Sequence, residues 1–200
     1  MNLETLKQRI NGVDIYILDQ ILKDLYQPGA KILDAGCGNG RNLKWFYKAG
    51  FEIHGTEIDQ KRLQSCKDSY PQQKNNFIEA FIEQMPYESN SFDHLICIAV
   101  LHFANDLEHY LRMLNELLRI LKPQGSLLIR TATNVGIENE VQELGDSLFK
   151  FPDGTTRFLL TAEILKKLEL DNRFIWLENV KTTIVHNKRA MTTLVLQKVI

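Results

Sequence analysis

The chain has 200 residues, 44% of them hydrophobic, and its 24 basic and 25 acidic residues leave a formal net charge of −1. This length and composition predict one domain with a single core, because no Gly/Ser-rich linker or low-complexity tract divides the sequence. The balanced charge argues against a nucleic-acid partner, since no basic stripe stands out beyond short pairs such as Lys188 and Arg189.

The N-terminal residues 1–10 mix charged and apolar side chains, and no apolar run approaches the length of a membrane span. The cysteines Cys37, Cys66 and Cys97 are far apart and form no CxxC pair. The histidines share no metal-ligand spacing. We therefore predict a cytoplasmic monomer or homodimer with no membrane partner, no disulfide framework and no metal site.

The first predicted elements are two helices, because apolar residues between positions 3 and 25 recur at helical spacing on both sides of Gly12. The next apolar run starts at Lys31 and ends at Asp34, and it reads as the first strand of a sheet.

A glycine-rich loop follows this strand within the segment KILDAGCGNGRN (residues 31–42), where Gly36, Gly38 and Gly40 come directly after Asp34. Glycine permits a sharp turn from strand to helix and lets a ligand approach the backbone closely. A carboxylate at Asp34 would repel the pyrophosphate of a dinucleotide but attract the cationic methionyl end of S-adenosylmethionine. The loop therefore predicts an S-adenosylmethionine site and disfavours a nicotinamide cofactor.

A second acidic residue, Glu57, ends the next predicted strand, FEIHGTEI. It follows Gly40 by 17 residues, close to the spacing of about 20 at which a carboxylate takes the ribose hydroxyls of a nucleotide. A merely solvated glutamate is the alternative, but its register with the glycine loop favours the ribose role. Cys37 is interpreted as a small packing residue rather than a nucleophile. The cofactor residues predicted in this part of the chain are Asp34, Gly36, Cys37, Gly38, Asn39, Gly40, Glu57 and Ile58.

Helices and strands then alternate as far as residue 132. The helices are predicted at residues 42–48, 61–68 and 107–121, and the strands at residues 51–57, 76–80, 92–99 and 126–132. Such alternation predicts a parallel sheet covered by helices on both faces.

The last third of the chain is predicted to shape a substrate pocket. Its segments are a helix at residues 137–148, a turn at 151–158, a helix starting at Thr161, and two alternating runs at 173–185 and 192–199. A turn at residues 186–189 separates the two runs, which predicts an antiparallel hairpin at one edge of the sheet.

The order KILDAGCGNGRN, GTEID, FIEQMPYESNSFDHLICIAVLHF and LKPQGSLLIR, over residues 31–132, resembles the class I S-adenosylmethionine-dependent methyltransferases, especially small members that modify small molecules. The run GCGNGRN is also similar to the tellurite-resistance methyltransferases. The resemblance implies an α/β fold with a Rossmann-like, doubly wound, seven-stranded sheet of order 3-2-1-4-5-7-6. Within one domain it implies a helical lid at residues 1–27, a cofactor-binding core at 31–132 and substrate-shaping elements at 133–200.

The resemblance also implies which residues surround the adenine. In many family members, the position of Phe81 holds an acidic residue that accepts a hydrogen bond from the adenine amino group. The phenylalanine side chain of this protein cannot accept that bond. We expect adenine to stack on an apolar wall and to bond the backbone of Phe81 and Ile82, with Glu83 a less favoured substitute. In the alternative interpretation, Phe81 faces the core.

On the substrate side, the resemblance places Ile98 against the methionyl group and His102 beside the ligand, with Tyr16 in the lid. His102 is the candidate general base by chemistry and place, and a histidine that bonds only within its own loop is the alternative. Arg130 ends the fifth strand and is expected to pair with an anionic substrate, unless it stacks on neighbours or forms a plain salt bridge.

The predicted function is methyl transfer from S-adenosylmethionine to a small-molecule acceptor by in-line displacement, which requires no nucleophilic residue. Two alternatives stay open: a nicotinamide-dependent oxidoreductase and a module that binds the cofactor without turnover. The sequence does not specify the acceptor atom.

Overall fold

The computed structural model describes residues 2–199, which form six helices and eleven strands. The helices are α1 (Leu3–Ile10), α2 (Ile15–Leu22), α3 (Lys44–Lys48), α4 (Gln60–Ser69), α5 (Leu107–Ile120) and α6 (Ala162–Glu169). The strands are β1 (Lys31–Ala35), β2 (Glu52–Thr56), β3 (Phe77–Ile78), β4 (Phe92–Ile98), β5 (Leu121–Ala132), β6 (Gln142–Gly145), β7 (Leu148–Lys150), β8 (Thr156–Phe158), β9 (Phe174–Trp176), β10 (Lys181–Val185) and β11 (Arg189–Lys198).

The main sheet has the strand order β10-β11-β5-β4-β1-β2-β3. Its first five strands in the chain are parallel, and β11 runs antiparallel to β5. If β10 and β11 are counted as the sixth and seventh strands, this is the predicted order 3-2-1-4-5-7-6. The predicted hairpin is therefore confirmed.

The sheet has eight strands rather than the predicted seven, because the sixth strand is split. Its two parts, β9 and β10, both pair antiparallel with β11. The Leu177 amide still donates to the Val195 carbonyl at 2.9 Å, and the chain then leaves the sheet before β10 begins. The third strand is also shorter than predicted, since only Phe77 and Ile78 pair with β2.

The predicted helix at residues 137–148 is wrong. A 3-10 turn at Glu138–Glu140 is followed by β6 and β7, which form an antiparallel three-stranded sheet with β8. Asp146 and Ser147 connect β6 to β7 with φ angles of 50° and 61°. Two successive residues in the left-handed region make a tight hairpin turn and end any helix.

Two apolar layers cover the main sheet. One layer holds α5 and α6 against side chains such as Leu33 and Leu95, and the other holds α2, α3 and α4 against side chains such as Ile32 and Ile96. Successive side chains of a strand point to opposite faces, so Asp34 shares a face with Ile32, under the N-terminal helices. The carboxyl ends of β1, β2 and β4 meet at this edge and position the candidate site.

Candidate active site

The glycine loop leaves β1 in a conformation that requires glycine. Gly36 and Gly38 have φ angles of 79° and 54°, in the left-handed region. A Cβ added to Gly36 would lie 2.4 Å from a methyl carbon of Val100, whereas one added to Gly38 would meet no atom of residues 2–199 within 4 Å. The amides of Gly36 and Cys37 donate to the Thr56 carbonyl at 2.9 and 2.8 Å, which fixes the loop to the end of β2. The open side of the loop is therefore at Gly38.

Asp34 places a buried carboxyl group under this loop. The residue is 1% exposed, and neither carboxyl oxygen has a hydrogen-bond partner among residues 2–199. Burial raises the pKa of Asp34 to about 7, and the Glu57 charge adds to this rise. The nearby Arg41 charge and a weak contact with the Asn42 side chain, which does not meet hydrogen-bond geometry, oppose it. A buried acceptor without a donor is uncommon and calls for a physical explanation. A cationic ligand beside the loop would supply the missing donor.

Glu57 connects the loop to the end of β2. Its Oε2 accepts from the Gly38 amide at 2.9 Å, and its Oε1 accepts from the amides of Ile58 and Asp59 at 2.8 and 3.0 Å. A carboxylate oxygen has two lone pairs, so Oε2 has capacity for a further donor such as a ribose hydroxyl. The carboxylate both organises the loop and presents an acceptor beside it.

Two large apolar side chains near this edge are exposed: Ile58 at 55% and Phe81 at 62%. Phe81 therefore does not face the core, in contrast to the alternative interpretation of the sequence. Ile82 is buried at 6% exposure, so only its backbone is suited to a polar contact. Exposed apolar surface of this kind fits the faces of a purine ring.

Cys37 packs inside the structure. It is 4% exposed, and its Sγ lies 3.6 Å from the Sγ of Cys66 in α4. The thiol contact with Cys66, followed by burial, raises the pKa of Cys37. A protonated, buried thiol is a poor nucleophile, which agrees with a packing role.

Ile98 and His102 lie at the end of β4. Ile98 is 7% exposed and pairs with Arg130 of β5, and His102 lies in the 3-10 turn Leu101–Phe103. The His102 Nδ1 is buried and has no hydrogen-bond partner within the described part of the chain, so it makes no bond inside its own loop. Burial, with a smaller effect of the Arg157 charge, lowers the pKa of His102 to about 4. The ring is therefore neutral near pH 7.

Arg130 makes two contacts with the N-terminal segment. Its Nη1 donates to the Asp14 carboxylate at 3.1 Å, and its guanidinium carbon lies 5.3 Å from the centre of the Tyr16 ring. The Tyr16 hydroxyl is hydrogen-bonded to Thr183 of β10. Stacking and a salt bridge, both expected alternatives for Arg130, are thus present together.

Sequence reasoning missed Asp14 as part of the site. Asp14 caps α2 by accepting from the Tyr16 amide at 3.0 Å, and its own amide donates to the Asn42 side chain at 3.1 Å. An aspartate just before a run of apolar residues at helical spacing predicts the start of a helix. This signal could have identified Asp14 as the cap, but it does not predict the contact with Arg130. The Arg41 side chain also donates to the Gly12 carbonyl at 2.7 Å. These bonds dock the N-terminal segment beside the glycine loop.

The arrangement fits S-adenosylmethionine: an unpartnered carboxylate for a cation, an acceptor for ribose and exposed apolar side chains for adenine. Between residues 2 and 199, no three His, Cys, Asp or Glu side chains lie close enough together to bind a metal ion. Within the same range, every helix is too short or too polar to cross a membrane.

Comparisons with known proteins find similarity to methyltransferases. A family model described as a methyltransferase domain matches residues 33–129. A probable tRNA methyltransferase 9B from Mus musculus is 29% identical over 113 residues, which are 55% of this chain and 23% of that protein. A malonyl-[acyl-carrier protein] O-methyltransferase from Salmonella typhimurium is 29% identical over 102 residues, 51% of this chain and 39% of that protein. The chain thus spans less than half the length of either relative.

A solved S-adenosylmethionine-dependent methyltransferase structure from Methanosarcina mazei superposes with a TM-score of 0.74. The two chains are 19% identical, and the match covers 90% of this chain and 97% of the other. This likeness confirms the Rossmann-like fold inferred from the sequence. With the family match over residues 33–129, which hold the glycine loop and the strands that follow it, these comparisons support membership of the class I S-adenosylmethionine-dependent methyltransferase superfamily.

Proposed function

We propose that this protein transfers a methyl group from S-adenosylmethionine to a small-molecule acceptor. The observation that carries the proposal is the Asp34 carboxyl group, which is 1% exposed and has no hydrogen-bond partner among residues 2–199. An anionic group at this place favours a cationic ligand and disfavours a diphosphate. The free capacity of Glu57 Oε2 supports ribose binding in the same loop.

Each cofactor residue then has a physical role. Asp34 attracts the charged methionyl end of the cofactor. The glycine loop lets this end approach the backbone closely, and its residues are Gly36, Cys37, Gly38, Asn39 and Gly40. Glu57 binds the ribose, while Ile58 and Phe81 cover the adenine and the backbone of Phe81 and Ile82 supplies its hydrogen bonds. Ile98 gives the methionyl group an apolar wall.

When bound, S-adenosylmethionine would supply a methyl carbon that its sulfonium activates for displacement. The protein must therefore align the acceptor with this carbon and exclude water, and positioning of this kind accelerates reactions by several orders of magnitude. We assign Tyr16 of α2 and Arg130 of β5, which stack on each other, to the acceptor side. His102 is our candidate to take a proton from an acceptor that starts protonated, since its imidazole is neutral near pH 7, although its pKa of about 4 makes it a weak base.

Calorimetric titration with S-adenosylmethionine, S-adenosylhomocysteine and NAD tests the cofactor assignment. We expect heat with the first two ligands and none with NAD. Heat with NAD alone would overturn the proposal.

The acceptor class needs a separate assay, because the relatives include a probable tRNA methyltransferase. The net charge of −1 supports a small acceptor, since phosphate backbones are bound by basic surfaces. Radiolabelled S-adenosylmethionine is incubated with a metabolite extract or with total tRNA. Label in the small-molecule fraction is expected. Label confined to tRNA would contradict a small acceptor, and no label with either, despite cofactor binding, would favour a module without turnover.

A further inference from the structure

Arg130 presents a binding edge on the acceptor side of the site. One nitrogen, Nη1, is held by Asp14 at 3.1 Å, and the Tyr16 ring lies 5.3 Å from the guanidinium carbon. These two contacts fix the plane of the guanidinium. Because the group has five N–H donors, the edge formed by Nε and Nη2 still has hydrogen bonds to give.

Two buried polar atoms at this place lack partners: Arg130 Nε, which belongs to the edge, and Thr193 Oγ1. Neither atom has a hydrogen-bond partner among residues 2–199. Thr193 is 3% exposed and stands directly opposite Arg130 in the pairing of β11 with β5. Residues paired in this way point to the same face of a sheet, with Cβ atoms about 5 Å apart. Two unpartnered donors at one spot indicate a place for a polar ligand.

This spot lies on the same face of the sheet as the cofactor residues. Asp34 pairs with Ile96, and Ile98, two residues further along β4, pairs with Arg130. All four side chains therefore point to one face. Since neighbouring strands are about 4.8 Å apart, β5 lies about 10 Å from β1. A small acceptor bound at Arg130 would reach the methyl group of a cofactor held at Asp34.

We propose that Arg130 binds a carboxylate of the methyl acceptor through its Nε and Nη2 edge, with the Thr193 hydroxyl as an adjacent donor. The substrate class is thus a small organic acid, and this inference rests on the proposed function. The planar guanidinium fork matches the two oxygens of a carboxylate. Asp14 limits the affinity, because it competes for the same positive charge.

The test uses paired probes that differ in charge: acetate and acetamide, benzoate and benzamide, phenylacetate and phenylacetamide, and malonate and malonamide. Each probe is titrated into the full chain, with and without saturating S-adenosylhomocysteine. We expect at least one carboxylate to bind at least tenfold more tightly than its amide. We expect Arg130→Lys and Arg130→Gln to lose this preference. Arg130→Lys keeps a charge that can pair with Asp14, so its affinity for S-adenosylmethionine should change less than twofold.

Asp14→Asn is expected to change the affinity for the carboxylate in the opposite direction. Asparagine keeps the helix cap but removes the competing charge, so the carboxylate should bind several-fold more tightly than to the unmodified chain. Thr193→Val should weaken it several-fold.

Three results would overturn the assignment: no preference for any carboxylate, a preference that survives in Arg130→Gln, or inorganic phosphate binding more tightly than every carboxylate. The titrations without cofactor keep this result separate from the proposed function. An Arg130-dependent carboxylate site in a chain that does not bind S-adenosylmethionine would contradict the methyltransferase activity but not the anion site.

Discussion

At the scale of single residues, the ionised form of Asp34 lowers the stability of the fold, although the same charge is the one proposed to bind the cofactor. Its carboxyl pKa is about 7 in the folded chain, against an ordinary value of 3.8 for an unburied aspartate. Between these values the folded chain holds the proton more tightly than the unfolded chain does. The contribution of Asp34 to the free energy of unfolding therefore falls as pH rises from about 4 to about 7 and stays low above that.

The variant Asp34→Asn should be more stable than the original chain at pH 8 and should lose this advantage near pH 4.5. The pKa difference corresponds to a gain on the order of 4 kcal/mol, and we expect about 2 kcal/mol because the buried amide also lacks partners. Urea unfolding at both pH values measures the effect. Asp24→Asn is the matched control, since Asp24 is exposed and its substitution should change neither stability nor binding. A less stable Asp34→Asn chain at pH 8 would contradict the burial argument.

The same residue predicts how cofactor affinity depends on pH. A cation binds the ionised form of Asp34, so S-adenosylmethionine should bind more weakly at pH 5.5 than at pH 8, with the change centred near the pKa of about 7. Asp34→Asn should bind about 30-fold more weakly at pH 8 and show a flatter pH profile. Titration calorimetry across this range gives both values. An unchanged pH profile in the variant would assign the dependence to another group.

Gly38 and Gly50 form a matched pair for the open side of the loop. Both have a positive φ, 54° and 84°, and an added Cβ would meet no atom of residues 2–199 within 4 Å at either position. Alanine at either position should reduce the free energy of unfolding by about 1 kcal/mol through backbone strain. Only Gly38→Ala should also weaken S-adenosylmethionine binding, by about tenfold, because its Cβ occupies the ligand side. Equal affinities in the two variants would place the cofactor elsewhere.

At the scale of elements, the turn from β6 to β7 holds its residues in strained conformations. Asp146 and Ser147 have φ angles of 50° and 61°, which asparagine and glycine adopt more easily. The double variant Asp146→Asn with Ser147→Gly should gain about 1 kcal/mol, or about 2–4 °C in melting temperature. Ser147→Ala, which keeps a Cβ in the strained position, should give no gain. Thermal unfolding distinguishes these outcomes.

This turn also shows where element prediction from the sequence fails. The long apolar stripe of α5 predicts its own helix, because burial on one face decides the structure there. The segment at residues 137–148 has no such stripe, since β6 is exposed along its length. Its structure depends on pairing with β7 and β8, and a pattern within one segment does not reveal its partners.

For the whole molecule, the candidate site combines contacts between residues that are close in the chain with contacts between residues that are far apart. Asp34, the glycines and Glu57 lie within one βαβ unit, so their spacing in the sequence predicts their proximity, and the Gly38 bond to Glu57 follows it. The contact of Asp14 with Arg130 spans 116 positions of the chain, and no local spacing announces it. Local spacing could therefore predict that the glycine loop lies beside Glu57, whereas the contact of Asp14 with Arg130 could be found only in the structure.

Helix α2 is connected to the sheet by a group of charges as well as by the contact of Arg130 with Asp14. Lys23 of the N-terminal segment pairs with Asp19 and Glu178, and Lys181 of β10 pairs with the same two carboxylates. Exposed pairs contribute little individually, but this group links residues that are far apart in the chain. Binding at the site is thus expected to couple to the stability of the whole fold.

That coupling gives a prediction for the complete chain. A ligand that binds only the folded state at 100 times its dissociation constant adds about 2.7 kcal/mol, which for a chain of this size raises the melting temperature by about 5–10 °C. S-adenosylmethionine and S-adenosylhomocysteine should each produce this shift, and NAD at equal concentration should not. Asp34→Asn should start from a higher melting temperature at pH 8 and shift less when S-adenosylmethionine is added, because the variant no longer supplies the charge that the cation needs. A full shift in that variant would mean that the cofactor is held without Asp34, and the electrostatic basis of the assignment would then be wrong.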